Sequence, residues 1–369
     1  MNKSTSMSIP IANVRGIEIR VHLTFALVLL WAAFDWGISQ GLGFAGAVYG
    51  LLFVSLLFVC VTLHELGHSL FAIRYGARVR DITLYPIGGV AHLEGDLSHP
   101  KHEFWMALAG PAVNIVLVVI LGTIAIPLMG WRALDGMGVL WSRLQGLGPE
   151  RLLMDLLATN LGLALFNLLP AFPLDGGRVL RAALATRMGE LKATQIAVQI
   201  GQGLAMLVGL AGFFTGALNL ILIAAFIFLS AAQEWRGTQL KAALRRLPAS
   251  AALIKGGVIL SPYDTLARAI NAALLTGQSD FAVFNQGYLV GVLTRQDIAA
   301  GFQRYGPNIE VGRLTHTHLP TAHPGDSLWD IHHKLEKSGS PAVSVVENGR
   351  FLGLATVESV RRALQFAVA

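Results

Sequence analysis

The sequence predicts a polytopic α-helical membrane protein with six transmembrane helices, followed by a soluble α/β domain built from two similar modules. Composition is the first observation behind this prediction. Of 369 residues, 54% are hydrophobic and only 14% are charged, whereas an ordinary soluble domain carries about 25% charged residues. The second observation is the distribution of these residues. Long apolar runs fill 1–247, and a polar, mixed sequence follows them.

Six stretches of the first part are candidates for membrane spans, because a transmembrane helix needs about 20 predominantly apolar residues. The first stretch, 21–40, is interrupted only by His22 and Asp35. We expect the second span to continue as helix past His64 toward Tyr75. That second span is predicted from the uncharged run 36–63, and the other four are predicted from the uncharged runs 104–131, 156–174 and 193–233, the last divided into two by a turn near Thr215-Gly216.

Basic residues predict the orientation, since Lys and Arg concentrate in cytoplasmic loops. The loops on one side of the predicted spans carry most of these residues, and the other side carries few. We therefore predict a multi-pass protein of the cytoplasmic membrane with both termini in the cytoplasm. The net charge of +6 does not indicate direct nucleic-acid binding, because the basic residues form no single patch. The richer side carries Lys3, Arg15, Arg20, Arg74, Arg78, Arg80, Lys101, Arg178, Arg181, Arg187, Lys192, Arg236, Lys241, Arg245 and Arg246.

The second part contains an internal repeat of about 60 residues, which indicates two copies of one structural unit. The segments FAVFNQGYLVGVLT and PAVSVVENGRFLGLAT align, and each has a turn at a glycine. We predict module 1 at 248–310 and module 2 at 311–369. Each is expected to fold as helix, strand, strand and helix, at 264–276, 281–284, 288–293 and 296–304, and again at 326–338, 341–346, 350–355 and 357–366.

The motif HELGH at 64–68 is the strongest chemical signal. Residues i and i+4 lie on one face of a helix, so His64 and His68 can bind one metal ion with Glu65 beside them as a general base. Solvated histidines on an ordinary helix are the alternative. Ionisable groups at the end of an uncharged membrane helix favour function, because they are costly there.

Two histidines leave a catalytic zinc site incomplete, because such a site uses three protein ligands and one open position. Asp175 is the best third candidate, since Pro170 and Pro173 break the helix before it and two glycines follow it. The alternative is that Asp175 only caps the next helix. The rival ligands lie in the loop after the second span: His92, Glu94, His99 and His102.

This set of residues predicts zinc-dependent hydrolysis with one Zn²⁺ per chain. Zinc lowers the pKa of water and polarises a carbonyl, and Glu65 is suited to transfer the proton. Asn167 is a candidate donor to the oxyanion of the transition state; alternatively, it bonds helix backbone. His68 precedes the basic residue Arg74 by six positions, which places the metal about 9 Å below the cytoplasmic interface at 1.5 Å per residue.

Three motifs together resemble the site-2 protease family of intramembrane metalloproteases: HELGH, ALAGPAVN at 107–114, and NLLPAFPLDGG at 167–177. The resemblance covers roughly residues 8–236. It implies that His64, His68 and Asp175 hold zinc, that Glu65 is the catalytic base and that Asn167 assists. It also implies membrane-spanning or membrane-tethered protein substrates, cut in regulated intramembrane proteolysis.

A further segment, LYPIGGVAHLEG at 84–95, is similar to the membrane-associated β-hairpin of the same family. The resemblance implies a hairpin whose exposed strand edge holds unwound substrate in extended form. The alternative is a hairpin that is only attached to the membrane surface.

The two modules resemble a tandem pair of CBS domains. GVLTRQDI at 291–298 matches the CBS pattern, which implies that Thr294 and Asp297 contact the ribose and phosphate of ATP, ADP or AMP. In GLATVESV at 353–360, Thr356 is kept, but Ser359 occupies the acidic position. The resemblance implies a regulatory adenine nucleotide and a homodimer through the modules. The alternative is a scaffold in which these hydroxyls only cap helices.

Together these observations predict a zinc-dependent intramembrane endopeptidase modulated by adenine nucleotide. Two other classes compete with it: a nucleotide-gated membrane transporter and a non-proteolytic membrane scaffold. The intact HELGH motif with Glu65 opposes the scaffold. A transporter should carry polar residues at midplane depth along several spans, and the predicted spans lack them apart from Asp35 and the metal-binding residues.

Overall fold

The computed structural model describes residues 7–86, 88–94, 99–129, 147–253 and 257–368. The chain divides into two compact units, Met1–Arg236 and Gly237–Ala369. The division falls inside the long helix Leu218–Arg246, so this helix begins in the first unit and ends in the second. The domain boundary predicted at 247 lies just after the end of the same helix.

The first unit contains one four-stranded sheet. Its strands are β1 (Ser8–Val14), β2 (Ile17–His22), β3 (Arg78–Tyr85) and β4 (Gly88–Glu94). The strand order is β1-β2-β3-β4, and the central pair β2–β3 is parallel. The hairpin suggested at 84–95 is therefore one half of a larger sheet, the pair β3–β4. The other half, β1–β2, was not predicted, although alternation in IEIRVH buries Ile17 and Ile19 on one face.

Among the described residues, four helices are long and apolar enough to cross a membrane, and the last of them runs past the end of the first unit. They are α2 (Gly43–Arg74), α3 (Pro100–Met129, with the candidate span ending at Ala125), α6 (Glu190–Thr215) and α7 (Leu218–Arg246). The other helices of this unit are α1 (Phe25–Phe34, extended by a π-helical turn over Asp35–Ser39), α4 (Pro149–Asn167) and α5 (Asp175–Met188).

The prediction of six spans is confirmed for only four of them. The first predicted span yields the shorter apolar helix Phe25–Ser39, because its first residues belong to β2. The fourth yields α4, which starts earlier than predicted and so includes the charged residues Glu150, Arg151 and Asp155. These charges make α4 less apolar than the uncharged run suggested. The turn predicted near Thr215-Gly216 is present, with Gly216 in the left-handed conformation at φ +68°.

The second unit contains two similar modules, each with a three-stranded sheet. The eight predicted elements begin and end within two residues of the observed ones. Each module also has a two-residue parallel strand before its first helix, which is too short to give a pattern. Module 1 contains β5 (Ile259–Leu260), α8 (Leu266–Thr276), β6 (Phe281–Asn285), β7 (Tyr288–Leu293) and α9 (Arg295–Tyr305); module 2 contains β8 (Thr321–Ala322), α10 (Leu328–Ser338), β9 (Ala342–Glu347), β10 (Arg350–Thr356) and α11 (Val357–Val368).

Candidate metal centre

The centre is built first by α2, which carries both histidines on one face. The Nε2 atoms of His64 and His68 lie 3.1 Å apart. His64 is buried, with 6% of its surface exposed. One helical turn separates the two residues, so the helix itself sets their spacing.

The neighbouring helix α3 orients the second histidine. His68 Nδ1 lies 2.7 Å from the carbonyl oxygen of Met106. Since a carbonyl can only accept, Nδ1 carries the hydrogen and Nε2 keeps its lone pair for a metal. The backbone of α3 also comes very close to this ring, since a Cβ added to Gly110 would lie 2.2 Å from His68 Nε2. Only glycine fits at that position.

Asp175 is the first residue of α5 and faces both histidines. Its Oδ2 atom lies 3.3 Å from His64 Nε2 and 3.2 Å from His68 Nε2. The N-cap of α5 is Leu174, and no side-chain capping hydrogen bond is formed there. The alternative in which Asp175 only caps a helix is therefore not what the structure shows.

A tight turn places this carboxylate. The chain leaves α4 at Asn167 and returns as α5 only eight residues later, through a non-helical segment. Gly176 packs against that segment so closely that an added Cβ would lie 2.3 Å from the carbonyl oxygen of Leu168. The glycines after Asp175 are therefore required by backbone contact, which holds the start of α5 against the end of α4.

The three ligand atoms fit a zinc ion. In a tetrahedral site with metal–ligand distances of about 2.0–2.2 Å, neighbouring ligand atoms lie about 3.3 Å apart. The observed separations are 3.1, 3.2 and 3.3 Å. Two imidazole nitrogens and one carboxylate oxygen are also the ligand types zinc prefers in hydrolases. Within the described residues, His64, His68 and Asp175 form a group of three metal-binding side chains that are close enough to share one ion.

Glu65 lies on α2 between the two histidines and is half-buried. Strand β4 passes directly over it, since a Cβ added to Gly89 would lie 2.6 Å from Glu65 Cγ. Asn167, the last residue of α4, is also half-buried. Its role in catalysis stays a prediction.

The three rival histidines have other partners. His92 Nδ1 lies 2.9 Å from Asp81 Oδ2 on the neighbouring strand, and His102 stacks on Tyr75 at 4.1 Å, close to His99. Burial would raise the pKa of Asp81, but hydrogen bonds from Arg80 and Thr83 outweigh it and hold that pKa below its usual value. Asp81 is thus a charged partner for His92 within the sheet. The side chain of Glu94 is outside the described part of the chain.

Sequence reasoning missed the supporting residues around these ligands. The Met106 carbonyl, the close approach of Gly110 and the contact of Gly89 with Glu65 all depend on segments distant in the chain. One signal was available: the glycine in ALAGPAVN marks a position where backbone can come close to another group.

In the second unit, Thr294 and Asp297 lie together at the start of α9. The Thr294 hydroxyl oxygen accepts a hydrogen bond from the Asp297 backbone, and the Asp297 carboxylate accepts one from the Thr294 backbone. His316 Nε2 also lies 3.1 Å from Asp297 Oδ1. Both residues therefore form a capping box, and their contact with a nucleotide stays a prediction.

Thr356 has a different setting, because it lines a cavity of about 290 Å³. Burial raises the pKa of Asp280 in this cavity, against the opposing hydrogen bond from Thr356. Ser359 replaces the acidic residue in hydrogen bonding to the Thr356 backbone. Thr294 and Asp297 are not in the lining, which consists of Gly257, Val258, Thr276, Gly277, Gln278, Ser279, Asp280, Thr356, Glu358, Ser359 and Arg362.

Comparison with known proteins gives consistent results for both parts of the chain. Residues 52–210 match the model of peptidase family M50, and residues 311–365 match the CBS domain model. A zinc metalloprotease of Methanocaldococcus jannaschii is 33% identical over 288 residues, with 78% of each chain covered. A provisionally named zinc metalloprotease of Synechocystis is 30% identical over 386 residues, with 98% of this chain and 97% of the relative covered. The solved structure of the site-2 protease from Methanocaldococcus jannaschii is 36% identical, covers 62% of this chain and 95% of its own, and has a TM-score of 0.45.

Proposed function

The chain belongs to peptidase family M50 and is a zinc metalloprotease with a C-terminal CBS domain, and from this we propose that it cuts membrane-spanning or membrane-tethered protein substrates within the bilayer. The proposal rests mainly on one observation. His64, His68 and Asp175 present three ligand atoms at 3.1–3.3 Å from one another, on and beside an apolar helix long enough to span a membrane.

The residues of the centre would divide the chemistry as follows. Bound zinc supplies a lowered pKa for water and polarisation of the scissile carbonyl. Glu65 takes the proton from the attacking water and delivers it to the leaving nitrogen. His68 stays in one tautomer because its Nδ1–H donates to the Met106 carbonyl. Asn167 donates to the oxyanion as charge develops.

Strand β4 supports a way of presenting substrate. It is an outer strand of its sheet, and its residue Gly89 lies against Glu65. A helical peptide bond is already hydrogen-bonded and must unwind before it is cut. An unwound segment that adds to the outer edge of β4 would run beside Glu65 in an extended conformation.

The position of the centre along α2 supports release of a product to the cytoplasm. His68 lies six residues before Arg74, the last residue of α2. With basic residues on the cytoplasmic side, the centre would lie inside the membrane near that face. A substrate cut there would release its cytoplasmic part, which is the expected outcome of regulated intramembrane proteolysis.

Cleavage of a single-span reporter by purified full-length protein in liposomes tests this proposal. We expect cleavage that stops when a chelator removes the metal and returns when zinc is restored. Cleavage that survives complete metal removal, or its absence for a panel of single-span reporters in the zinc-loaded protein, would contradict the proposed activity. Reporter flux across the liposome membrane without cleavage would favour the transporter alternative.

We further propose that an adenine nucleotide binds the second unit and modulates cleavage. The cavity beside Thr356 supports such a ligand, since it is bounded by both modules and contains hydroxyl, amide and charged groups. The predicted contacts at Thr294 and Asp297 offer a second location. A homodimer formed through the modules belongs to the same proposal, and sedimentation of the purified protein tests it.

Thermal unfolding of the full-length protein with AMP, ADP or ATP tests nucleotide binding. A bound nucleotide should raise Tm, because it stabilises only the folded state. Thr356→Val should reduce this increase, measured against the Tm of the same variant without nucleotide. A larger reduction in Asp297→Ala would instead place the nucleotide at the motif of module 1. No change in Tm or cleavage rate with any of the three would contradict nucleotide control.

A further inference from the structure

A three-helix ion cluster lies on the side of α5 that follows the metal ligand. The Arg181 guanidinium donates to the carboxylates of Glu103 on α3 and Glu234 on α7, with its Nε 2.9 Å from Glu103 Oε1. The Arg181 side chain is only 13% exposed, and that of Glu103 is 17% exposed. The Glu234 side chain is 38% exposed. Arg181 and Glu103 are therefore the largely buried charges, which are costly unless they pair.

The cluster joins the helices that build the metal centre. Asp175 and Arg181 lie on the same helix, fewer than two turns apart. On α3, Glu103 precedes Met106, whose carbonyl accepts from His68, and Gly110, which contacts the ring of His68. The contact between Arg181 and Glu103 therefore connects the helix that orients one ligand with the helix that carries another.

Arg181 also contacts the turn that leads to Asp175. Its guanidinium carbon lies 5.1 Å from the centre of the Phe172 ring, a cation–π distance. Phe172 is 2% exposed and lies three residues before the ligand. Arg181 thus contacts α3, α7 and the non-helical segment together, which no other charged residue of α5 does among the contacts described.

We propose that Arg181 is a positioning residue for Asp175. Its planar guanidinium, which donates to two carboxylates and lies over one ring, sets where α5 begins relative to α3, and so sets the distance from the Asp175 carboxylate to His64 and His68. The inference rests on the proposed zinc ligands. It adds that the ligand geometry depends on a residue outside the coordination sphere.

A lysine cannot reproduce this arrangement. The guanidinium presents five donors in a fixed plane, whereas an ammonium is a point charge on a flexible chain. Arg181→Lys should keep a charge for one carboxylate but lose the simultaneous contact with both helices. If Arg181 only stabilised the fold, replacing it with lysine or glutamine would lower Tm without changing the metal site.

Metal binding by purified variants tests the inference without relying on proteolysis. Arg181→Gln should weaken zinc affinity about 10-fold to 100-fold, the range found when residues that support metal ligands are removed. The absorption spectrum of the cobalt-substituted protein should also shift, because it reports ligand geometry. Arg181→Lys should give an intermediate loss. The matched control is Arg187→Gln, an exposed arginine on the same helix, which should leave both readouts unchanged.

Unchanged zinc affinity and an unchanged cobalt spectrum in Arg181→Gln would overturn the proposal. If that variant does not fold, Glu103→Ala provides the test, because it removes the acceptor on α3 while leaving Arg181 paired with Glu234; an unaltered cobalt spectrum there would also overturn it. A different result would show that the proposed zinc ligands are wrong: Asp175→Asn would then bind zinc as tightly as the wild-type protein. The two failures can therefore be told apart.

Discussion

Glu65→Gln is expected to lower the rate of reporter cleavage by about 10²-fold to 10⁴-fold, the usual contribution of a positioned general base. Glutamine has nearly the same shape as glutamate but cannot accept a proton from water. The proposed ligands His64, His68 and Asp175 are unchanged, so bound zinc should stay at one ion per chain. Cleavage rate and zinc content, measured on the same purified samples, check both parts of this expectation.

The matched control for this variant is Asp35→Asn, which neutralises another carboxylate of the apolar part of the chain. Asp35 lies in the π-helical turn after α1, where it accepts a hydrogen bond from Gln40 at 2.9 Å. Its neutralisation should leave cleavage unchanged. Equal cleavage by Glu65→Gln and wild-type protein would show that Glu65 is not the base. Loss of zinc in Glu65→Gln would show instead that the carboxylate has a role in holding the metal.

Gly110→Ala is expected to abolish zinc binding and cleavage together. The added methyl group would lie 2.2 Å from His68 Nε2 and 2.7 Å from His64 Cε1, far inside contact distance. Neither ring can move away easily, because His64 is buried and His68 is hydrogen-bonded to the backbone of Met106. Either α3 must shift away from α2 or the rings must leave the geometry that fits the metal. Zinc content and cleavage rate are the measurements.

The control for this substitution lies on the same helix. At Gly122 the nearest atom to an added Cβ is Leu157 Cδ1 at 3.8 Å, an ordinary contact distance. Gly122→Ala should therefore keep zinc and activity, and alanine favours helix over glycine. Wild-type zinc affinity in Gly110→Ala would mean that α3 does not approach the histidines as closely as the structure describes.

The agreement between sequence and structure is best where the signal is local. In the second unit, the two aligned segments and the glycines at their turns predicted both hairpins. At Gln286-Gly287 and Asn348-Gly349 all four residues have positive φ, as a two-residue hairpin turn requires. Such patterns need only neighbouring residues, so they survive without tertiary information. The spacing of His64 and His68 is predictable for the same reason, because one helical turn determines it.

Predictions based on uncharged runs were less accurate. The run 156–174 suggested a span, but the helix occupies Pro149–Asn167 and takes in three charged residues. Hydropathy reports how apolar a stretch is, whereas the helix boundary depends on the prolines that follow and on the packing of the next segment. The first span was overestimated because residues of β2 are apolar on alternate positions and pair with a strand about 60 residues later in the chain.

By itself, the sequence determined the class of protein, the two-part organisation, the repeated module and the histidine pair with its glutamate, since each depends on composition or on short-range spacing. Only the tertiary structure decided that Asp175 faces the histidines rather than capping α5, that the backbone of α3 contacts the ring of His68, and that Arg181 joins three helices. These contacts connect residues up to about 110 positions apart. The physical reason is that a metal site depends on distances of a few ångströms between separate helices, and those distances are set by packing rather than by any local pattern.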